Sequence, residues 1–251
     1  MDERVADPVI TFLEPRWPAP RAVRAAVTLR GGGVSRGPYA SLNLGAHVGD
    51  VAAAVAENRR RLRAQLSLPA DPEWVEQVHG VDVLDLEQYA PGRVADAVLA
   101  RRAGQVCAVQ VADCMPVLFT ARTGNGVAAA HAGWRGLAAG VLEATVAALG
   151  VEPQQLLAWL GPAIGPRHFE VGDEVRAAFL AHDARAAAAF TPNDRGRWLC
   201  DLGALARARL AALGIGAVYG GEWCTFTDAT RFFSYRRDGR CGRMAALIWL
   251  T

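Results

Sequence analysis

The chain has 251 residues, 52% of them hydrophobic and 21% charged, with a formal net charge of +2. That length and composition describe a globular chain able to bury its own core, and exclude a disordered chain or one built of membrane spans. All 27 basic residues are arginine, which beside the heavy use of alanine reads as coding bias and carries no nucleic-acid implication.

In chain order, residues 1–24 hold Asp2, Glu3, Asp7, Glu14 and prolines without an apolar run, so a less ordered N-terminal extension is expected. Ala22 to Leu29 reads as a strand, followed by the turn Gly31-Gly32-Gly33 and a loop carrying Arg36 and Tyr39. Val51 to Leu66 has helical spacing, and its run Arg59-Arg60-Arg61 with Arg63 near Glu57 suits a solvated face. Short apolar runs predict strands at Trp74 to Val78, Val81 to Leu86, Ala95 to Leu99, Val106 to Ala112, Pro116 to Thr120 and Gly126 to Ala130. Several are apolar on both faces, as in a sheet covered on each side. Leu137 to Leu149 predicts a helix ended by Gly150, and Leu156 to Leu160 a strand. Helices follow at Asp173 to Ala181 and Leu202 to Leu213, and strand-like runs at Ala217 to Tyr219, Cys224 to Thr227, Phe232 to Tyr235 and Met244 to Leu250. The mixture predicts one α+β domain of mixed layers over residues 1–251.

Five cysteines, odd in number and without a C-x-x-C pair, fit neither a secreted disulfide framework nor a zinc ribbon. A reducing, cytoplasmic setting is expected, with a monomer that engages neither membrane nor nucleic acid. Only five histidines are present. Three segments place a ligand type where a strand meets a turn: His79 in Gln77-Val78-His79-Gly80, Cys114 in Asp113-Cys114-Met115, and His131 in Ala130-His131-Ala132-Gly133. Two imidazoles and a thiolate suit zinc and leave a fourth position open, whereas a core thiol with two turn histidines is the plainer alternative. The turn Gly133-Trp134-Arg135-Gly136 offers glycines for close backbone approach and an arginine that can fork onto an anion, or else is an ordinary strand-helix turn.

Together with Gly33-Val34-Ser35, Pro38 to Gly45, His47-Val48-Gly49-Asp50, Leu160 to Gly165, Phe169 to Gly172, Phe232 to Gly239 and Gly242-Arg243-Met244, these segments resemble the bacterial YfiH family. That family is also called the laccase-domain or peptidoglycan editing factor family. The resemblance implies a fold related to deamidating cysteine-hydrolase toxins and a zinc held by His79, Cys114 and His131. It also implies phosphorolysis of adenosine, inosine, guanosine and methylthioadenosine, deamination of adenosine, and a link to editing of a cell-wall precursor. An older label for the family is polyphenol oxidase, and copper is an alternative metal for the same donors.

For deamination, zinc activates a water toward C6 of adenine, and Asp113 is a candidate proton shuttle or a partner orienting a ligand histidine. For phosphorolysis, Arg135 with the amides of Gly133 and Gly136 is the candidate phosphate site. Asn43 and Arg36 could contact ribose or base, or simply serve the turn. Tyr235 and Arg236, with Phe233, could stack on a purine, or be core. His47 and His168 are expected to be solvent-facing or structural, and Cys107 a core residue. Two readings from other classes stand beside the nucleoside enzyme: a cysteine hydrolase with Cys114 as nucleophile and His131 or His79 as base, and a non-catalytic metal-binding module.

Overall fold

Runs apolar at every position can be buried only between two covering layers, and the chain meets that demand with two sheets packed face to face and helices outside them. The computed structural model describes residues 9–88 and 93–251. Residues 1–8 of the expected N-terminal extension lie outside the described residues.

The chain runs through β1 (Phe12–Leu13), β2 (Val23–Thr28), α1 (Ala52–Gln65), β3 (Val83–Asp85), β4 (Ala97–Ala100) and β5 (Val106–Val111). It continues with β6 (Met115–Ala121), β7 (Val127–Ala132), α2 (Trp134–Ala139), α3 (Val141–Leu149), β8 (Leu156–Leu160), β9 (Glu170–Val171) and α4 (Asp173–Leu180). The last elements are β10 (Phe190–Pro192), β11 (Trp198–Cys200), α5 (Leu202–Ala212), β12 (Val218–Gly220), α6 (Tyr235–Asp238) and β13 (Met244–Leu250). A four-stranded sheet has the order β1-β2-β13-β5, a six-stranded one β12-β8-β6-β7-β4-β3, and a small third sheet β10-β11-β9.

Side-chain alternation shows how the layers stack. On β13, Ala246, Ile248 and Leu250 join Val98, Val109, Leu118 and Ala129 between the two large sheets. Ala245, Leu247 and Trp249 of the same strand face the other way, against Leu42, Leu44 and Leu62, so α1 covers the outside of the four-stranded sheet. Phe119, Ala128, Ala130 and Leu160 face α2 to α5 on the far side of the six-stranded sheet. The order of layers is therefore helix, sheet, sheet, helices, which is the expected α+β class.

Most predicted elements are present, with three differences. The single helix expected over Leu137 to Leu149 is two, α2 and α3, because Gly140 takes a left-handed conformation (φ 105°) that ends one and starts the next. Phe232 to Tyr235 is not a strand: Ser234 caps α6 by accepting from Arg237 N–H, and Phe232 and Phe233 are fully buried ahead of it. Trp74 to Val78 and Cys224 to Thr227 contribute only isolated bridges, at Glu76 and Cys224.

The loop between β2 and α1 is fixed by one buried amide. Asn58 of α1 accepts from Val34 N–H at 2.8 Å and donates to Ser35 Oγ and to the carbonyls of Ser41 and Asn43 at 2.9, 3.2 and 2.8 Å. Each of these groups left without a partner costs roughly 1–3 kcal/mol. Asn58→Ala is expected to destabilise the protein by at least about 2 kcal/mol in urea unfolding. Arg63→Ala, which removes an exposed pair to Asp71, is expected to cost under about 1 kcal/mol. Equal costs for the two would refute the role given to Asn58.

Candidate metal centre

Sheet register brings the three expected ligands together. In the antiparallel pair β6 and β7, Met115 stands opposite Ala132 and Pro116 opposite His131, so Cys114 at the start of one strand meets the end of the other. Ala97 on β4 stands opposite Ala130, which puts Asp96 beside His131. His79 arrives from the loop before β3. The donor atoms of His79, Cys114 and His131 all lie within 4.8 Å of one another.

Asp96 organises this cluster, and the sequence reading passed over it. It is fully buried. Its Oδ1 accepts from His79 N–H at 2.9 Å and pairs with His131 Nδ1 at 2.8 Å. Its Oδ2 accepts from Val78 and Gly80 N–H at 3.1 and 2.6 Å. His79 has φ 62°, a left-handed conformation unfavourable for a residue with a Cβ, and three consecutive amides closing on one carboxylate hold it there. Binding His131 through Nδ1 leaves Nε2 for a ligand, the usual arrangement of a metal-binding imidazole. Burial alone would push the Asp96 carboxyl up, but His131 and the amides of Gly80 and Val78 bring it below the usual range. An aspartate inside the apolar run Ala95 to Leu99 was the available signal.

The donor set fits zinc. Cys114 Sγ and His79 Nε2 are 3.5 Å apart, against about 3.6 Å for the S–N edge of a tetrahedron with ordinary zinc–sulfur and zinc–nitrogen lengths. Burial pushes the Cys114 thiol up, but His131 and His79 outweigh it and bring the thiol below its usual range. Burial likewise pushes His131 down, while the Cys114 thiolate and Asp96 raise it above its usual range. In the absence of metal both shifts favour a thiolate facing an imidazolium.

The glycines of the following turn serve close packing. A Cβ on Gly133 would lie 2.6 Å from His79 Cδ2 and 2.9 Å from Cys114 Sγ, and one on Gly136 2.8 Å from the Gly80 carbonyl. Arg135, expected at an anion, is exposed with its guanidinium over the ring of Trp134 at 4.4 Å. Asp113 turns away from the cluster: its carboxylate accepts from Thr225 Oγ1 and Arg236 N–H, both at 2.6 Å. It tethers α6 through Arg236 N–H.

Asn43 is fully buried, with Nδ2 donating to Gly45 O and Asp50 Oδ2 and Oδ1 accepting from Gly45 and Arg243 N–H. Its capacity is spent within the protein. Arg36 is exposed on its loop. Phe233 is core under Arg30, and Arg236 donates to the Glu170 carbonyl. Tyr235, by contrast, is 60% exposed and open to a ligand. Cys107 is fully buried, and desolvation raises its thiol, as expected of a core residue.

Layered sheets carrying a His–Cys–His cluster at the end of their central strands define an α+β protein with a candidate metal centre of three donors. The chain belongs to the YfiH, or laccase-domain, family: the family described as "multi-copper polyphenol oxidoreductase laccase" matches residues 24–251. It is 58% identical over 241 residues to "Purine nucleoside phosphorylase YfiH" of Escherichia coli, covering 95% of this chain and 98% of that protein. It is 57% identical over 242 residues to "Purine nucleoside phosphorylase PA4543" of Pseudomonas aeruginosa, again covering 95% and 98%. The crystal structure of Neisseria meningitidis protein NMB0706 superposes with a TM-score of 0.91 at 50% identity, over 95% of this chain and 98% of that one.

Asp96→Asn replaces one acceptor oxygen with a donor facing amide donors. It is expected to lower zinc affinity by at least about ten-fold in a chelator competition. Gly133→Ala is expected to lower it too, by displacing His79 and Cys114. Wild-type affinity in both variants would refute the arrangement.

Proposed function

We propose that the protein is a zinc-dependent purine nucleoside phosphorylase acting on adenosine, inosine, guanosine and methylthioadenosine, which also deaminates adenosine. The observation that carries this reading is the His79–Cys114–His131 cluster in a chain whose close relatives bear the name purine nucleoside phosphorylase. Zinc held by those three donors would supply a Lewis acid with one open position.

The chain's own residues set the rest. Asp96 fixes the tautomer and orientation of His131 and the backbone of His79, so the donors are in place before substrate arrives. Gly133 lets α2 close against the cluster, limiting the space on that side. In phosphorolysis of inosine, an oxygen of hydrogen phosphate bonds to C1′ as the bond from C1′ to N9 breaks. The electron pair leaves on the base, which takes up the proton released by phosphate. A reducing, cytoplasmic setting agrees with five cysteines that are all free.

The family's copper label does not extend to a multicopper centre here. Of the five histidines, His47, His168 and His182 stand outside the cluster, and among the described residues no second group of metal ligands forms. One copper on the same three donors is chemically reasonable, since copper outranks zinc at such sites, and a polyphenol oxidase side activity belongs to that form.

A second reading rests on the metal-free electrostatics. A thiolate at Cys114, an imidazolium at His131 and a carboxylate at Asp96 form the constellation of a cysteine hydrolase. It would act on an amide such as a peptidoglycan precursor, in line with the implied kinship to deamidating hydrolases. The two readings differ over one atom, Cys114 Sγ, which either binds metal or attacks carbon.

Chromatography of adenosine and inosine reactions, with and without phosphate, tests the proposal. Inosine is expected to give hypoxanthine and ribose-1-phosphate only when phosphate is present, and adenosine to give inosine without it. His79→Ala, Cys114→Ala and His131→Ala are each expected to lose bound zinc and turnover together. Undiminished nucleoside turnover in rigorously metal-free protein would overturn the zinc mechanism. Amide hydrolysis by that metal-free protein would instead establish the second reading.

A further inference from the structure

Arg135 is exposed with its guanidinium over Trp134, and the phosphate of the reaction above still needs a place. Another part of the molecule supplies one. A groove of about 310 Å³ opens between the His47–Val48 turn and the segment from Tyr235 to Arg243, and His47, Arg240 and Arg243 line it. No carboxylate among the described residues forms an ion pair with any of the three. Arg243 uses Nη1, on the carbonyls of Cys241 and Gly242 and on Cys241 Sγ, and among the described residues its Nε and Nη2 donate to no protein group. Arg240 donates to the Tyr39 hydroxyl and the Gly49 carbonyl and retains Nη1.

Both cations are braced. The Arg240 guanidinium lies over Tyr39 and that of Arg243 over Tyr235, at 5.3 and 5.9 Å. Gly45 makes room for the second of them, because a Cβ there would stand 2.8 Å from Arg243 Cγ. The same Cβ position lies 3.3 Å from Gln110 Oε1, a buried acceptor without a hydrogen-bond partner. Unpaired guanidinium donors on two arginines that line one groove suit an anionic ligand.

The groove is linked to the neighbourhood of the candidate metal centre from two sides. Arg236, next to Tyr235, donates its backbone N–H to Asp113, the neighbour of Cys114. His47 on the opposite wall is held below the usual histidine range by burial and by Arg243 and Arg59, with Glu76 opposing and the charge of His131 adding to the effect. Positive charge therefore converges near His47, opposed by Glu76, and His47, exposed as expected, lines the groove.

We infer that the groove lined by His47, Arg240 and Arg243 is the phosphate subsite of the active site. The inference rests on the nucleoside reading above for its substrate class. The ligand chemistry is a phosphate group, reaching the groove either as inorganic phosphate or attached to the ribose of a nucleotide.

Calorimetric titration of inorganic phosphate, and separately of inosine 5′-monophosphate, into zinc-loaded protein tests this. Arg240→Gln with Arg243→Gln is expected to weaken phosphate at least ten-fold, about 1.4 kcal/mol, while Arg135→Gln leaves its affinity unchanged. Thermal melts and zinc content verify folding. Should loss of the Arg243 contacts to Cys241 and Gly242 prevent it, His47→Gln with Arg240→Gln carries the same expectation. Weakened inorganic phosphate identifies the co-substrate as occupant, and weakening of the monophosphate alone identifies phosphate borne on ribose. Unchanged affinity for both ligands in folded variants overturns the subsite. Phosphate binding lost as expected, in a protein that never turns over inosine, would overturn the nucleoside reading and leave the groove standing.

Discussion

The Asp96 carboxylate is the interaction on which the functional end of the molecule depends. A buried carboxylate is costly unless its lone pairs are filled, and here three successive amides and one imidazole fill them. The same four bonds impose a left-handed backbone on His79 and a fixed ring orientation on His131. Neither ligand is placed by its own side-chain preferences. They come from different parts of the chain, a loop and a strand, and meet because one acceptor group requires donors from both. Removing that acceptor would free a strained loop and release a buried imidazole at once, so positions at the metal centre are coupled rather than additive.

The strands that carry the cluster explain its rigidity. β4, β7 and β6 are three of the four interior strands of the larger sheet, apolar on both faces and covered by a second sheet and by helices. The phosphate groove is built differently, from a short turn at His47, the four-residue helix α6 and the segment after it. The molecule thus divides its work between donors anchored to a packed sheet, His79 through Asp96, and cations carried on loops tied down by a few hydrogen bonds, such as that from Arg236 N–H to Asp113. With no lysine in the chain, each of those cations is a planar guanidinium that can rest on an aromatic face while keeping donors free.

Much of this was legible in the sequence, for reasons that can be named. Leu156 to Leu160 and Met244 to Leu250 could be read to the residue because both faces of each strand are covered, leaving uninterrupted apolar runs between polar or glycine boundaries. His79, Cys114 and His131 stood out because strand ends meeting turns are where ligands are displayed. Asp96 was hidden in plain view: its partners are backbone amides and a histidine 35 residues away, and neither leaves a local pattern. Asn43 was open to two readings for a related reason. A polar residue in a glycine-rich loop looks available to substrate, yet its amide is consumed by Gly45, Asp50 and Arg243, the last of them 200 residues distant. The small sheet of β9, β10 and β11 went unread because each strand is two or three residues long.

The cluster's electrostatics also bear on which chemistry it performs. Asp96 raises the basicity of His131, which favours a thiolate at Cys114, and that is useful both to a metal ligand and to a nucleophile. Geometry separates the two uses. A nucleophilic sulfur needs open space on the side from which a carbonyl carbon approaches, together with hydrogen-bond donors for the oxygen that becomes negative. Cys114 Sγ instead faces His79 Nε2 at 3.5 Å and has Gly133 closed against it so tightly that a single added methyl would stand 2.9 Å away. One imidazole 3.5 Å from the sulfur, near the edge length of a metal tetrahedron, a second imidazole in the same cluster, and an aspartate fixing one ring and the backbone of the other suit the holding of an ion. The thiolate that makes a cysteine hydrolase plausible on electrostatic grounds is the same thiolate that zinc requires, and the arrangement around it favours the metal.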